Sequence, residues 1–214
     1  MGLAAILAAM DRLWTPWRYA YITGKDVQGA DGSVRRKGVP ESLSGWPTDE
    51  DRQCVFCNMI AAVDYAIGEG MAPEQAEAAV HLVARGATCF VCLNAFPYGT
   101  GHVLIVPYAH TDTLAKLDAA SAQEMMQMAQ RVDQCLREVY QPEGMNFGMN
   151  LGQAAGAGIA DHLHMHAMPR WLGDTNFMTV VAETRILPEA LNVTWSKLRL
   201  AFRQWTTHTV LGPS

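Results

Sequence analysis

Three of the seven histidines stand at alternate positions in one short stretch, Asp161-His162-Leu163-His164-Met165-His166-Ala167-Met168-Pro169-Arg170-Trp171. In a strand, side chains alternate between faces, so the imidazoles share one face about 6.5–7 Å apart and Leu163, Met165 and Ala167 share the other. A helix would scatter the three histidines around its circumference. A row of imidazoles suits chemistry at phosphorus. One neutral ring can attack phosphorus and carry a covalent adduct. A second can donate to the phosphate or leaving oxygens, and a third can orient the first or bind a metal. A metal-only site is the other chemistry open to the row. A purely structural cluster is disfavoured, because three imidazoles on one buried platform are costly without a role.

The stretch is fed by a glycine-rich loop, Asn150-Leu151-Gly152-Gln153 to Gly156-Ala157-Gly158-Ile159. Glycines let a backbone turn and present successive N–H groups, which can hold an anion. Taken alone it reads first as an ordinary hairpin loop. Its position next to the imidazoles favours the anion reading, with phosphate oxygens held beside His162, His164 or His166.

Two pairs of cysteines share the C-x-x-C spacing. Cys54 and Cys57 can serve one metal, form a redox pair or simply pack. Cys89 and Cys92 fall in an apolar run read as a strand, where positions i and i+3 point to opposite faces, so they cannot grip one metal together. They read as core residues, as does Cys135 on a helix. The cysteines are five in number, and the start of the chain is a poor fit to an export signal. A disulfide framework is therefore not expected, and a reducing cytoplasm is. His81 and His208 receive no role.

The elements that must position these residues follow from periodicity. Residues 79–84 and 88–93 form a hairpin broken at Arg85-Gly86, and residues 102–107 form a central apolar strand. A short helix is expected over 58–65, and a loop or Ala/Glu-rich turn over 68–78. Residues 117–140 form the clearest helix, with Met125, Met128, Ala129, Val132, Leu136 and Val139 on its buried stripe. Asp118 or Ser121 caps it, and Glu124 completes a capping box with Ser121. Residues 145–151 form a strand ahead of the histidine strand, and residues 189–204 form a last helix. The order indicates an antiparallel α+β domain, a five-stranded sheet with one long helix. The domain covers 54–171. Residues 1–53 form an aromatic arm (Trp14, Trp17, Tyr19, Tyr21) and a loop, and residues 172–214 form an extension too short for a second domain.

The bulk numbers agree with that reading. The chain has 214 residues, half of them hydrophobic and 17% charged, with a formal net charge of -5. That composition is globular. The sole basic run is Arg35-Arg36-Lys37, so nucleic acid is not an expected partner. No apolar run approaches the roughly 20 residues that span a bilayer. Residues 1–10 are apolar without a basic leader, and Met10 competes with Met1 as the start.

The motif His162-Leu163-His164-Met165-His166-Ala167-Met168 resembles the signature of the histidine triad (HIT) superfamily of nucleotide hydrolases and transferases. The resemblance extends to Leu93-Asn94 through Gly101-His102 to Pro107, the long helix and Asn150-x-Gly152, spanning about residues 54–171. The Leu13–Tyr19 arm and the ending from Pro169 to Met178 are similar to the branch of bacterial diadenosine tetraphosphate phosphorylases. The resemblance implies that His164 is the nucleophile that takes up AMP and that His166 contacts the α-phosphate. It places Asn94 at the ribose, Asn150 with the Gly156–Gly158 loop at the phosphates, Trp171 lining the site and His102 close by. It implies zinc on Cys54, Cys57, His110 and His162, and a homodimer joined edge to edge or a tetramer. Gly158-Ile159 departs from the Gln-Ser or Gln-Thr pair of many relatives, so the leaving-group preference does not carry over. The implied reaction is nucleotidyl transfer on a dinucleoside polyphosphate, with inorganic phosphate or water as acceptor. Alternatives are a hydrolase of dinucleoside polyphosphates or nucleoside phosphoramidates and, in another class, a non-catalytic nucleotide-binding module.

Overall fold

The computed structural model describes residues 38–47, 54–174 and 189–209. The aromatic arm, most of the loop at 25–52 and residues 175–178 of the ending that starts at Pro169 lie outside the described residues. The elements run α1 (Val55–Gly68), α2 (Pro73–Ala79), β1 (Leu82–Arg85), β2 (Cys89–Leu93), β3 (Val103–Pro107), α3 (Ala119–Tyr140), β4 (Gly144–Gly148), β5 (Met165–Arg170) and α4 (Leu191–Thr209). The five strands form one antiparallel sheet in the order β1-β2-β3-β5-β4.

Both faces of the central strands are covered, which is why β2 and β3 read as unbroken apolar runs. Cys89, Val91, Leu93, Val103 and Ile105 face α3 and α4, where Met125, Met128, Val132, Leu136, Leu198 and Phe202 complete one core. Phe90, Cys92, Leu104 and Val106 face α1 and α2, against Phe56, Met59, Ala62 and Val63. Cys89 and Cys92 thus sit in different cores, as the period-two pattern requires.

Several local expectations shift. Residues 73–79 form a helix, with Pro73 in the first turn, where its missing N–H is no loss, and Ala76 and Glu77 buried. β1 therefore starts at Leu82, after His81 at φ 54° turns the chain. Helix α1 begins at Val55 with Cys54 as its N-cap, earlier than the periodicity suggests. The fourth strand ends at Gly148. Trp195 Nε1 donates to the Leu82 carbonyl (2.8 Å) and Arg199 Nη1 to the Val83 carbonyl (2.7 Å). Side chains of α4 thereby cover the outer edge of β1, which would otherwise offer unpaired backbone groups.

Glu124 does not close a capping box. Asp118 caps α3 by accepting from the Ser121 amide at 2.9 Å. Glu124 instead reaches the β1–β2 turn and accepts from the amides of Ala87 (2.8 Å) and Cys89 (2.9 Å), and from the amide and hydroxyl of Thr88. Gly86 leaves room there: a Cβ would stand 2.4 Å from both Glu124 Oε1 and Met128 Cε, so both side-chain ends would have to shift. Burial alone would raise the Glu124 carboxyl, but the hydrogen bonds from Thr88, Ala87 and Cys89 hold it below the usual range. Glu124→Gln should lower stability by about 2 kcal/mol, the loss of charge-assisted bonds. A carboxyl depressed in the folded state stabilises above its unfolded pKa and stops doing so as pH falls through the folded value. Thermal melts should show the gap between wild type and variant closing as pH is lowered through that range. A gap independent of pH would refute the ionic clamp.

Candidate active site and metal centre

The histidine row is split by the fold. Pairing of β3 with β5 runs from Val103↔Ala167 to Ile105↔Met165, so the strand begins at Met165. The two earlier histidines lie before it, on chain held by the loop after β3: the Leu163 amide donates to the Thr111 carbonyl at 2.6 Å. The alternation persists all the same. Leu163, Met165 and Ala167 enter the core beneath α3. His162 and His164 turn to the opposite side, where Phe56 of α1 packs on both, with ring centroids 5.3 and 5.2 Å apart.

His162 is 1% exposed. Its Nε2–H donates to the Pro107 carbonyl at 2.9 Å, which leaves the Nδ1 lone pair facing Cys54 Sγ at 3.3 Å and Cys57 Sγ at 3.6 Å. Cys57 Sγ also lies 3.4 Å from His110 Nδ1. The four ligand atoms all lie within 4.8 Å of one another. In a tetrahedron with bonds of about 2.3 Å to sulfur and 2.0–2.1 Å to nitrogen, S and N stand about 3.6 Å apart, so this set can hold a metal ion. Burial pushes His162 down to about 4, which keeps the ring in the neutral form that ligation needs. The Pro107 carbonyl is the outer partner that fixes its tautomer.

His164 is held differently. Its Nδ1–H donates to the carbonyl of His162 at 2.8 Å, so the proton stays on Nδ1 and Nε2 keeps its lone pair. Burial lowers its pKa. A neutral, buried imidazole with one oriented lone pair is equipped as a nucleophile.

His166 stands on β5 with its ring 4.9 Å from that of His164. His102, at the start of β3, places Nε2 2.9 Å from His166 Nδ1. The backbone amide of Tyr98 donates to His102 Nδ1 at 3.1 Å. Asn94 follows β2, with Oδ1 accepting from the Phe96 amide at 3.0 Å. The crossover is wedged tightly: at Gly101, φ 74°, a Cβ would meet Pro169 at 2.9 Å and Tyr140 at 3.2 Å.

The remaining candidates are less concentrated. The loop over 152–158 contains a 3-10 turn, Gln153–Ala155, flanked by Gly152 and Gly156 at φ 80° and 85°. Its Ala155, Gly156 and Ala157 amides bond back to Gly152 and Gln153, so those three are engaged within the loop. Trp171 follows the far end of β5, its ring edge-on to Tyr140 at 6.4 Å. Sequence alone does not single out Phe56 or Tyr98. Phe56 stands inside the Cys54–Cys57 motif and Tyr98 four residues before His102, and that proximity to flagged residues was the available signal.

The HIT domain profile matches residues 75–171. A relative named AP-4-A phosphorylase, from Mycobacterium tuberculosis, is 31% identical over 196 residues, covering 92% of this chain and 85% of its own length. An uncharacterized HIT-like protein of Mycoplasma genitalium is 28% identical, covering 55% of this chain and 73% of its own. Among solved structures, a Zn-bound histidine triad family protein from Mycobacterium smegmatis has a TM-score of 0.53 at 24% identity, covering 72% of this chain and 96% of that one. A hypothetical histidine triad nucleotide-binding protein from Sulfolobus tokodaii has a TM-score of 0.52 at 21% identity, over 71% and 93%. The chain belongs to the HIT family, whose members act on nucleotides. Among the described residues no helix is long and apolar enough to cross a membrane.

Proposed function

We propose that the protein transfers the adenylyl group of a dinucleoside polyphosphate through a covalent adduct on His164, with inorganic phosphate as acceptor. The observation that carries the reading is the bond from His164 Nδ1–H to the His162 carbonyl, 2.8 Å, which leaves Nε2 with its lone pair for attack. Nε2 attacks the α-phosphorus, an N–P bond forms, and the bond from phosphorus to the polyphosphate oxygen breaks. His166 donates from Nε2–H to the leaving oxygen. Phosphate oxygen then attacks the adduct, the N–P bond breaks, and a nucleoside diphosphate departs. Asn94 binds the ribose, Asn150 and Gly158 contact the phosphates while the Gly156 amide is engaged within the loop, Trp171 lines the site, and His102 supports His166. The name of the mycobacterial relative, AP-4-A phosphorylase, favours diadenosine tetraphosphate as substrate and phosphate over water.

Cys54, Cys57, His110 and His162 hold zinc in this reading. The two thiolates and two imidazoles suit it, and the Mycobacterium smegmatis neighbour is described as Zn-bound. When bound, the ion supplies a structural cross-link and no group to the reaction. A homodimer accompanies this reading: among the described residues nothing pairs with the outer edge of β4, and an open groove lined by Met126, Gln130, Gln134 and Phe147 lies nearby.

Incubation with diadenosine tetraphosphate, with and without inorganic phosphate, tests the activity. ADP plus ATP appearing only with phosphate is the expected result. AMP plus ATP, or two ADP, without phosphate would make the protein a hydrolase. Absence of turnover with any nucleotide would overturn the enzymatic reading.

A further inference from the structure

We propose that Tyr98 is a positioning residue that holds the proton of His166 on Nε2, acting through His102. The inference rests on the adenylyl-transfer reading, in which His166 must donate from that atom. Donation from the Tyr98 amide to His102 Nδ1 at 3.1 Å means that this nitrogen is an acceptor. The amide of Asn94 reinforces it. Asn94 Oδ1 is committed to the Phe96 amide, so Nδ2 is the atom turned to His102 Nδ1, at 3.4 Å. Two donors from one turn thus converge on one nitrogen. Neutral His102 then carries its proton on Nε2 and donates to His166 Nδ1 at 2.9 Å. With Nδ1 accepting, neutral His166 carries its proton on Nε2.

The Tyr98 side chain closes this arrangement. Its ring lies nearly parallel to that of His166, 6.0 Å away at 17°, and 4.8 Å from that of His102. His102 itself is 2% exposed. The ring thus packs against both of the imidazoles that exchange a hydrogen bond. Removing it admits water there, and water can donate or accept at either nitrogen, so the direction of the chain is no longer imposed. A ring that merely filled space would contribute to stability and leave the tautomers unchanged.

The test is nitrogen-15 NMR of histidine-labelled protein, combined with kinetics on diadenosine tetraphosphate. In the wild type, His166 Nδ1 should resonate as an unprotonated acceptor and Nε2 as a protonated donor. Tyr98→Phe keeps the stacked ring and should preserve both signals and kcat. Tyr98→Ala should average the two signals and lower kcat about 10- to 100-fold, the order of one proton donor's contribution, with KM within about twofold. If that variant does not fold, Tyr98→Leu is held to the same expectation. Wild-type tautomers in the folded variant, or a loss confined to KM, would overturn the proposal. The NMR arm needs no substrate, so its failure is distinguishable from failure of the adenylyl-transfer reading, which would appear as absence of an adduct on wild-type His164.

Discussion

Replacement of His164 by alanine is expected to reduce turnover at least about 10⁴-fold, the order seen when a covalent nucleophile is removed, or roughly 5 kcal/mol of transition-state stabilisation. The reason is geometric. Among the three histidines of the row, His162 directs Nδ1 at Cys54 and Cys57, and His166 directs Nδ1 at His102. His164 alone of the three has Nδ1 satisfied by a backbone carbonyl, which leaves Nε2 for attack. The ring adds little to ground-state binding, so nucleotide affinity should stay within a few-fold. His166→Ala removes a donor and not the nucleophile, so its loss should be smaller, about 10²–10³-fold. Rapid quench and intact-protein mass spectrometry would read both the rate and the adenylyl adduct. A His164→Ala protein that still forms the adduct or turns over at the wild-type rate would remove His164 from the role. A variant that loses affinity and rate together would show that the ring serves binding.

The sequence carried what depends on period and left out what depends on neighbours distant in the chain. Alternation along residues 162–168 was legible, because only period two puts three imidazoles on one side and Leu163, Met165 and Ala167 in the core. The opposite facing of Cys89 and Cys92 was legible for the same reason. The start of β5 was not, because it is set by where β3 stops pairing. Helix α2 was missed because a seven-residue segment rich in alanine and glutamate carries almost no amphipathic signal. Its burial depends on Ala76 meeting α1, and on Glu77 bonding Arg85 and Arg199. Glu124 was assigned by its spacing from Ser121, yet four donors in the β1–β2 turn, some 35 residues away, compete for it and prevail. In the site, the metal set was suggested by family resemblance, since gaps of 53 and 52 residues separate Cys57, His110 and His162. The tautomers of His102, His164 and His166 are beyond the reach of sequence, because backbone groups fix the first two and His102 in turn fixes the third.

Removing the metal, by chelation or by Cys57→Ser, is expected to lower the melting temperature by about 10 °C. A structural metal contributes several kcal/mol to folding, and each kcal/mol moves a domain of this size by roughly 2–4 °C. Without the ion, two thiols and two imidazoles converge within 4.8 Å with nothing coordinating all four together. The four come from three separate parts of the chain: the start of α1, the loop after β3 and the segment before β5. Cys92→Ala is the control: it shares the C-x-x-C spacing and is buried, but faces the core and should leave metal content unchanged. One equivalent of metal per chain, with Cys54 and Cys57 alone becoming reactive to thiol reagents on chelation, is the expected titration. Unchanged melting and no bound metal would sink the assignment. The effect should also reach the chemistry. Phe56 lies between the two cysteine ligands in sequence and packs on His164 at 5.2 Å, and the carbonyl that fixes the His164 tautomer belongs to His162. Loosening this corner frees both restraints on the nucleophile, so kcat should fall even below the temperature at which the chain unfolds. A metal-free protein that is folded but fully active would show that the centre braces the fold without positioning His164.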